Sequence, residues 1–235
     1  MSSSDAVLDD PVGESLRGHH AHLARRLGRA VTYRTDVATF SAVSADADAD
    51  AVDWADLARL LGRGAFADMF SCPAHPPSDW EPVFVLDGRQ MIRADSSRPD
   101  QAPGAVHTDM VELGADDVPE MLDLVARAKP GPLWPRTHQL GTYLGIRDNG
   151  RLVAMAGERL RPEGWTEISA VSTAPEARGQ GHATRLVTAL VAGILSRDER
   201  PFLHVAEANT GAIALYERLG FTLRKHVTFR GYRTP

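Results

Sequence analysis

The sequence predicts a mixed α/β fold, in which a mostly antiparallel sheet is flanked by helices. Three observations support this class. Strand-like and helix-like segments alternate over residues 105–235 in the order β-α-β-β-β-α-β-α-β-β. The Asn149-Gly150 pair stands between two apolar runs, which is typical of an antiparallel hairpin. One central strand–turn–helix–strand unit, beginning at Trp165, has the length that a parallel crossover needs.

Composition limits the classes of protein to which the chain can belong. It has 235 residues with 43% hydrophobic side chains, so it can bury a large core. The net charge of −5 argues against nucleic-acid binding. The single cysteine, Cys72, excludes internal disulfides and a cysteine-based zinc site, and we expect no bound metal. The longest apolar run, 186–195, is too short to span a bilayer, and the N-terminus lacks a signal pattern, so we expect a soluble cytoplasmic protein, monomeric or homodimeric.

Residues 1–104 are predicted to form an N-terminal α/β domain. Apolar spacing indicates two helices, and a segment rich in Pro, Ser and charge indicates a linker to the second domain. The expected elements are a helix over Glu14–Leu27, an acidic loop over Ala45–Ala51, a helix over Asp53–Leu61, a hairpin turning at Asp87-Gly88 and a linker over 93–104.

Residues 105–235 are predicted to form the second domain. Its elements follow from β-branched runs, turn dipeptides and helix caps. They are a strand over Ala105–Leu113, a helix capped by Asp116, the Asn149-Gly150 hairpin, a tight turn over Arg161–Gly164, a strand over Trp165–Thr173, a long helix over about 181–196, a strand over Phe202–Ala206, a short helix between Asn209 and Gly220, and two strand-like segments, FTLRK and VTFRGYR.

The stretch STAPEARGQGHATRL, residues 172–186, predicts an anion site. It joins a β-branched strand to the long helix through Gly179 and Gly181. A helix N-terminus presents unpaired N–H groups, and glycines let the backbone approach a phosphate closely. A dinucleotide fingerprint would need a third glycine where Thr184 stands, and the Walker pattern is absent. A pyrophosphate is therefore the expected guest, with tight strand–helix packing as the structural alternative.

The residues Arg178, Gly181 and Ala183 match the signature of the GNAT superfamily of acyl-CoA-dependent N-acyltransferases, which residues 105–235 resemble. Together with NTGAIALYERLGF, residues 209–221, they look like the subgroup of glycine N-acyltransferases. The resemblance implies a GNAT-like fold, and suggests a degenerate second copy in the N-terminal half. It also implies that acetyl-CoA or another acyl-CoA binds to Val171, Ser172, Thr173, Arg178, Gly179, Gln180, Gly181, His182, Ala183, Thr184, Asn209 and Tyr216.

Acyl transfer to an amine needs an acid, a base and an oxyanion donor. In the family a tyrosine at the position of Tyr216 lies near the CoA sulfur, where a phenol can protonate a thiolate; ordinary core packing would also explain its spacing. A two- or four-residue loop at Arg161–Gly164 would pair Glu158 with Glu167 on one face and raise the pKa of one carboxyl. We therefore expect one of them, with Glu167 preferred, to be the base. A backbone N–H near Val171 is the expected oxyanion donor.

The sequence thus predicts an N-acyltransferase that uses an acyl-CoA, with acetyl-CoA preferred, to acylate a primary amine of a small molecule or peptide. Trp134, His138 and Tyr143 are candidates for the acceptor pocket, and the negative net charge favours a cationic acceptor. Two alternatives stay open. The domain could bind acyl-CoA as a catalytically silent sensor, or it could be a purely structural or interaction module.

Overall fold

The computed structural model describes residues 3–43, 51–72, 74–93, 109–128 and 131–235. The acidic loop predicted over 45–51, except Ala51, lies outside these residues. So do the predicted linker after Arg93, the part of the strand predicted over 105–113 that precedes Asp109, and the Lys129-Pro130 pair.

The described residues contain helices and strands in the following order. The helices are α1 (Pro11–Arg17), α2 (Ala51–Leu61), α3 (Val118–Ala128), α4 (His182–Leu195) and α5 (Thr210–Arg218). The strands are β1 (Ala24–Leu27), β2 (Ala30–Tyr33), β3 (Ser41–Ala42), β4 (Phe66–Asp68), β5 (Glu81–Arg93), β6 (Met110–Glu112), β7 (Tyr143–Asp148), β8 (Arg151–Glu158), β9 (Trp165–Thr173), β10 (Arg200–Ala206) and β11 (Phe221–Arg233).

The strands of the described residues form two sheets. A small antiparallel sheet has the order β1-β2-β3, and an eight-stranded sheet has the order β4-β11-β5-β10-β9-β8-β7-β6. Every neighbouring pair in the large sheet is antiparallel except β9 and β10, which are parallel and connected through α4. The predicted class, a mostly antiparallel sheet with flanking helices and one central crossover, is confirmed.

Several local predictions are confirmed because short-range chemistry decides them. The Asn149-Gly150 turn connects Asp148 directly to its partner Arg151, and both turn residues have positive φ. The strand over Trp165–Thr173 has the predicted bounds. Asn209 caps α5 by accepting a hydrogen bond from the Ala212 N–H. The two C-terminal strand-like segments form one strand, β11, with an irregularity between Leu223 and Lys225.

The helix predicted over Glu14–Leu27 is wrong. Helix α1 ends at Arg17, and the second part of this stretch becomes β1, which pairs with β2 across a turn at Gly28, where φ is +55°. The apolar spacing that suggested a longer helix places His20 in the core instead. Its Nδ1 lies 2.8 Å from the Tyr33 hydroxyl and its Nε2 lies 3.0 Å from the Leu140 carbonyl oxygen.

The hairpin predicted at Asp87-Gly88 is also wrong, because β5 continues through both residues as one strand between β10 and β11. Gly88 serves close packing: a Cβ at this position would lie 2.4 Å from the Phe229 ring. Since β4 and β5 lie in the same sheet as the C-terminal strands, the sheet crosses the domain boundary predicted after Gly104. The two segments therefore share one framework.

Separate cores cover the two faces of the large sheet. Helices α3 and α4 contribute Met121, Leu124 and Leu190 to one core, which also contains Tyr216 and Phe221. Near β9 and β10, N-terminal residues such as Leu8 and Leu16 form a second core with Trp165 and Phe202. The N-terminal segment therefore packs against the strands that flank the parallel crossover, and it can contribute to a site there.

Candidate active site

The parallel pair β9–β10 separates partway along its length. Pairing runs from Arg200 opposite Trp165 to Phe202 opposite Glu167 and then stops. Beyond this point β9 remains paired with β8, and β10 remains paired with β5. A gap therefore opens in the sheet between residues 168–173 and 203–206.

A β-bulge lies in β9 beside this gap. Met155 is opposite Ser172 and Gly157 is opposite Ser169, so β9 carries one extra residue in this interval. Ala170 has a φ of +54°, a rare conformation for a residue with a side chain, and the Ser172 hydroxyl donates to its carbonyl oxygen at 2.9 Å. Among the described strands, Ala170 and Val171 have no register partner on either side. The backbone predicted to stabilise an oxyanion is therefore outside both ladders.

The turn before α4 has the geometry of an anion site. Gly179 and Gly181 have φ of +79° and +77°, and a Cβ added to either would meet no atom within 4 Å. The first backbone bond of the helix runs from the Arg185 N–H to the Gly181 carbonyl oxygen. In the part of the chain that the structure describes, no acceptor contacts the backbone N–H groups of residues 179–184. These consecutive donors, at the positive end of a fourteen-residue helix, fit a diphosphate.

A cavity of about 1030 Å³ connects this turn to the gap between β9 and β10 and continues to the N-terminal segment. Most residues predicted to bind the co-substrate line it: Val171, Thr173, Arg178, Gly179, Gly181, His182, Ala183, Thr184, Asn209 and Tyr216. Ser172 and Gln180 do not; Ser172 is buried and Gln180 is exposed. Of the residues predicted for the acceptor pocket, Trp134 lines the cavity, but His138 and Tyr143 do not.

Tyr216 lies in the cavity wall with 7% of its surface exposed. Its ring meets Phe221 edge to face, and among the described residues its hydroxyl has no hydrogen-bond partner. Burial raises the pKa of Tyr216 to about 12, so the phenol stays protonated at physiological pH. It is therefore a proton donor without an acceptor of its own.

The predicted pairing of Glu158 with Glu167 is wrong. Glu158 lies opposite Ile168, one residue further along β9, so the two carboxylates point to opposite faces of the sheet. The Glu158 carboxylate accepts a hydrogen bond from Arg197 at 2.7 Å and another from the Thr142 N–H. It does not line the cavity.

Glu167 is fully buried between two partners. Arg159 donates two hydrogen bonds to it, at 2.7 and 2.8 Å, and the His204 Nδ1 lies 2.6 Å from its Oε1. Burial alone would raise the pKa of Glu167, but the charge and hydrogen bonds of Arg159, with those of His204, outweigh it and lower the pKa to about 2. The expectation of a carboxyl poised near neutrality is therefore wrong, because the neighbour is a cation rather than a second carboxylate.

His204, assigned to the core from the sequence, lines the cavity and continues this chain of contacts. Its Nε2 lies 3.1 Å from the Gln90 Nε2, which also donates to the Leu8 carbonyl oxygen. Burial lowers the pKa of His204 more than Glu167 raises it, so the ring is neutral. An amide nitrogen can only donate, which makes Nε2 the acceptor and Nδ1–H the donor to Glu167.

Asp68 is a cavity residue that sequence reasoning missed. It ends β4, which pairs with β11, so only a contact between distant segments brings it to the site. The Thr39 hydroxyl donates to its Oδ2 at 3.1 Å, whereas its Oδ1 is buried without a hydrogen-bond partner among the described residues. Burial raises the pKa of Asp68 to about 6. No local pattern in the sequence marks this residue.

Two further surveys cover the described residues. None of their helices combines the length and apolarity that crossing a bilayer requires. They also contain no group of three or more His, Cys, Asp or Glu side chains arranged to hold a metal ion.

Comparison with known proteins identifies the family. Residues 143–230 match the model of the FR47-like protein family. A solved structure from Novosphingobium aromaticivorans, described as an acetyltransferase of the GNAT family, is 35% identical with a TM-score of 0.85, and the match covers 97% of this chain and 98% of that one. No protein with curated function matches.

More distant structures share the fold. A GCN5-related N-acetyltransferase from Kribbella flavida has a TM-score of 0.65 at 16% identity, with 97% of this chain and 96% of that one covered. A Drosophila protein has a TM-score of 0.61 at 14% identity, with 100% and 91% covered. The split strands, the glycine turn and the full-length match to the Novosphingobium protein lead to one conclusion: the chain belongs to the GNAT family of acetyltransferases.

Proposed function

We propose that this protein transfers an acyl group, preferably acetyl, from acyl-CoA to a primary amine, by direct attack of the amine on the thioester. Membership of the GNAT family implies acyl transfer from an acyl-CoA. The observation that carries the proposal is the run of backbone N–H groups over residues 179–184 without an acceptor among the described residues, at the mouth of a cavity that contains Tyr216.

The residues present fit an acyl-CoA. The amides of residues 179–184 would hold its diphosphate, with Arg178 in the cavity wall as a second source of positive charge. The pantetheine arm would follow β9 along Val171 and Thr173, where β10 has separated. When bound, acyl-CoA supplies the thioester carbonyl that the amine attacks.

The chain supplies an acid and an oxyanion donor for this reaction. The Tyr216 phenol would donate its proton to the departing thiolate, because it is neutral and has no acceptor among the described residues. The Val171 N–H, in the bulged part of β9, would stabilise the tetrahedral oxyanion. Glu167 would not serve as the base; its role would be to hold Arg159 and His204 in place.

An assay of thiol release from acetyl-CoA across a panel of primary amines, with mass spectrometry of the products, tests the proposal. Amine-dependent thiol release with a matching acetylated product is expected. CoA binding without release for any amine or any longer acyl-CoA would favour the alternative, a silent acyl-CoA sensor. The absence of CoA binding in calorimetry would leave only a structural or interaction role.

A further inference from the structure

The end of the cavity away from the glycine turn is strongly aromatic. Within the described residues, five of the chain's seven phenylalanines line the cavity, and we call them the aromatic end: Phe40, Phe66, Phe70, Phe84 and Phe229. Phe70 stacks on Phe229 with centroids 4.5 Å apart, and it meets Phe40 at 5.0 Å. A wall of this kind binds the hydrophobic body of a ligand.

Two glycines make this packing possible. A Cβ at Gly231 would lie 2.5 Å from the Phe84 ring and 2.6 Å from the Phe66 ring. A Cβ at Gly88 would meet Phe229 at 2.4 Å. The rings therefore rest directly on the backbone of β5 and β11, which fixes the shape of the aromatic end.

A carboxylate stands beside these rings. Asp68 lines the same cavity, is 94% buried, and has one oxygen, Oδ1, without a partner among the described residues. An unpaired buried carboxylate oxygen is costly for the fold, so its retention calls for a ligand that satisfies it. An ammonium group supplies both the opposite charge and the hydrogen bonds.

The other charged groups near Asp68 do not cancel its charge. The Arg159 guanidinium lies 5.0 Å from the centre of the Phe40 ring and 4.6 Å from that of Phe70, but Glu167 neutralises it through two hydrogen bonds. His204 is neutral. These groups together carry a net negative charge at the aromatic end. The cavity wall near the glycine turn instead contains Arg178 and Arg218, as a polyanionic co-substrate requires.

We propose that the acyl acceptor is a hydrophobic amine without a carboxylate, that its positively charged nitrogen binds to Asp68, and that its apolar body packs on the aromatic end. The inference rests on the proposed function and narrows its substrate class. An arylalkylamine has this chemistry, with a cation that the ring faces also attract. A free amino acid would bring its own carboxylate next to Asp68, where like charges repel.

Binding of N,N-dimethyl-2-phenylethylamine in the presence of CoA tests the inference without catalysis, because this tertiary amine is cationic and forms no stable amide. Calorimetry is expected to show binding that Asp68→Asn weakens at least tenfold. Asp79→Asn is the matched control, since Asp79 is exposed and outside the cavity wall, and it is expected to change nothing. Equal affinity of Asp68→Asn and wild type, or preferential binding of 3-phenylpropanoate, would overturn the inference.

Acceptor selectivity of the wild-type protein gives a second measurement that does not depend on a variant. The kcat/KM for 2-phenylethylamine is expected to exceed that for phenylalanine and that for ethylamine at least tenfold. If amines are acetylated but phenylalanine is preferred, the inference fails while the proposed function stands. If the tertiary amine binds through Asp68 but no primary amine releases thiol from any acyl-CoA, the proposed function fails while the cation site stands.

Discussion

His204 and Glu167 lie on the two parallel strands at the point where those strands separate, with the His204 Nδ1 2.6 Å from the Glu167 Oε1. Arg159 holds the same carboxylate from the adjacent loop. The contact joins the strands immediately before the gap opens. Glu167 therefore helps to define where the cavity begins, although the sequence suggested that it was a base.

Replacing Glu167 by Gln is expected to destabilise the protein by about 3–5 kcal/mol, because it leaves Arg159 buried without a counter-ion. Urea unfolding measures this change, and Glu163→Gln, an exposed change of the same type, is the control. In the folded fraction, the pH dependence of kcat/KM is expected to be unchanged. A lost ionisation near neutrality in the variant would identify Glu167 as the base after all.

Acid stability provides a further test of the same carboxylate. The pKa of Glu167 is about 2 in the folded state against 4.5 for the unperturbed group. Its ionised form therefore contributes stability that is complete above pH 4.5 and is lost as the pH falls towards 2, about 3 kcal/mol in total. Urea titrations at intervals from pH 5 to pH 2 are expected to show this loss in wild type and a smaller one in Glu167→Gln.

Tyr216→Phe is expected to lower kcat by about 10²-fold with little change in CoA affinity, because it removes a proton donor that supports no contact among the described residues. Tyr143→Phe makes the same change in the core, outside the cavity, and is expected to leave kcat unchanged. Because burial raises the pKa of Tyr216 to about 12, kcat should not fall with a midpoint near 10. Full activity of Tyr216→Phe would remove the phenol from the mechanism.

Gly181→Ala is expected to weaken CoA binding at least tenfold, because a side chain at this φ of +77° strains the turn whose amides would hold the diphosphate. Gly150→Ala is a matched control: its φ is +80°, its surroundings are equally open, and it lies in the β7–β8 hairpin. Both variants should lose about 1–2 kcal/mol of stability. Only the first should lose CoA affinity in calorimetry, and equal affinities would exclude the diphosphate assignment.

Asp68→Asn is expected to stabilise the protein at pH 7–8, by about 1–3 kcal/mol, because burial raises the pKa of Asp68 to about 6. Protons bind the folded state more tightly than the unfolded one, so the cost of the carboxylate is absent below about pH 4 and complete above about pH 6. The Thr39 hydroxyl and the Arg159 charge face Asp68 and lower its pKa, but burial dominates. Thermal melts from pH 4 to pH 8 would show the variant's advantage growing with pH; a constant difference would contradict it.

Local chemistry made much of the candidate site readable. Glycines at positive φ, a helix start, an Asn cap and a hairpin dipeptide each act within a few residues, so the strand–turn–helix unit and the helix that bears Tyr216 could be predicted with nearly correct bounds. The same local reasoning failed at Asp87-Gly88. There the dipeptide signals a turn, but Gly88 is required by the Phe229 ring of a strand far along the chain.

By itself, therefore, the sequence determined the fold class, the position of the glycine turn and the presence of Tyr216 beside it, because these depend on contacts between near neighbours in the chain. Only the tertiary structure decided the β8–β9 register, which separates Glu158 from Glu167, and the insertion of β5 between β10 and β11. It also decided the position of Asp68. A one-residue bulge reverses the face of a side chain, and strand order is set by pairing between distant segments, which no local pattern encodes.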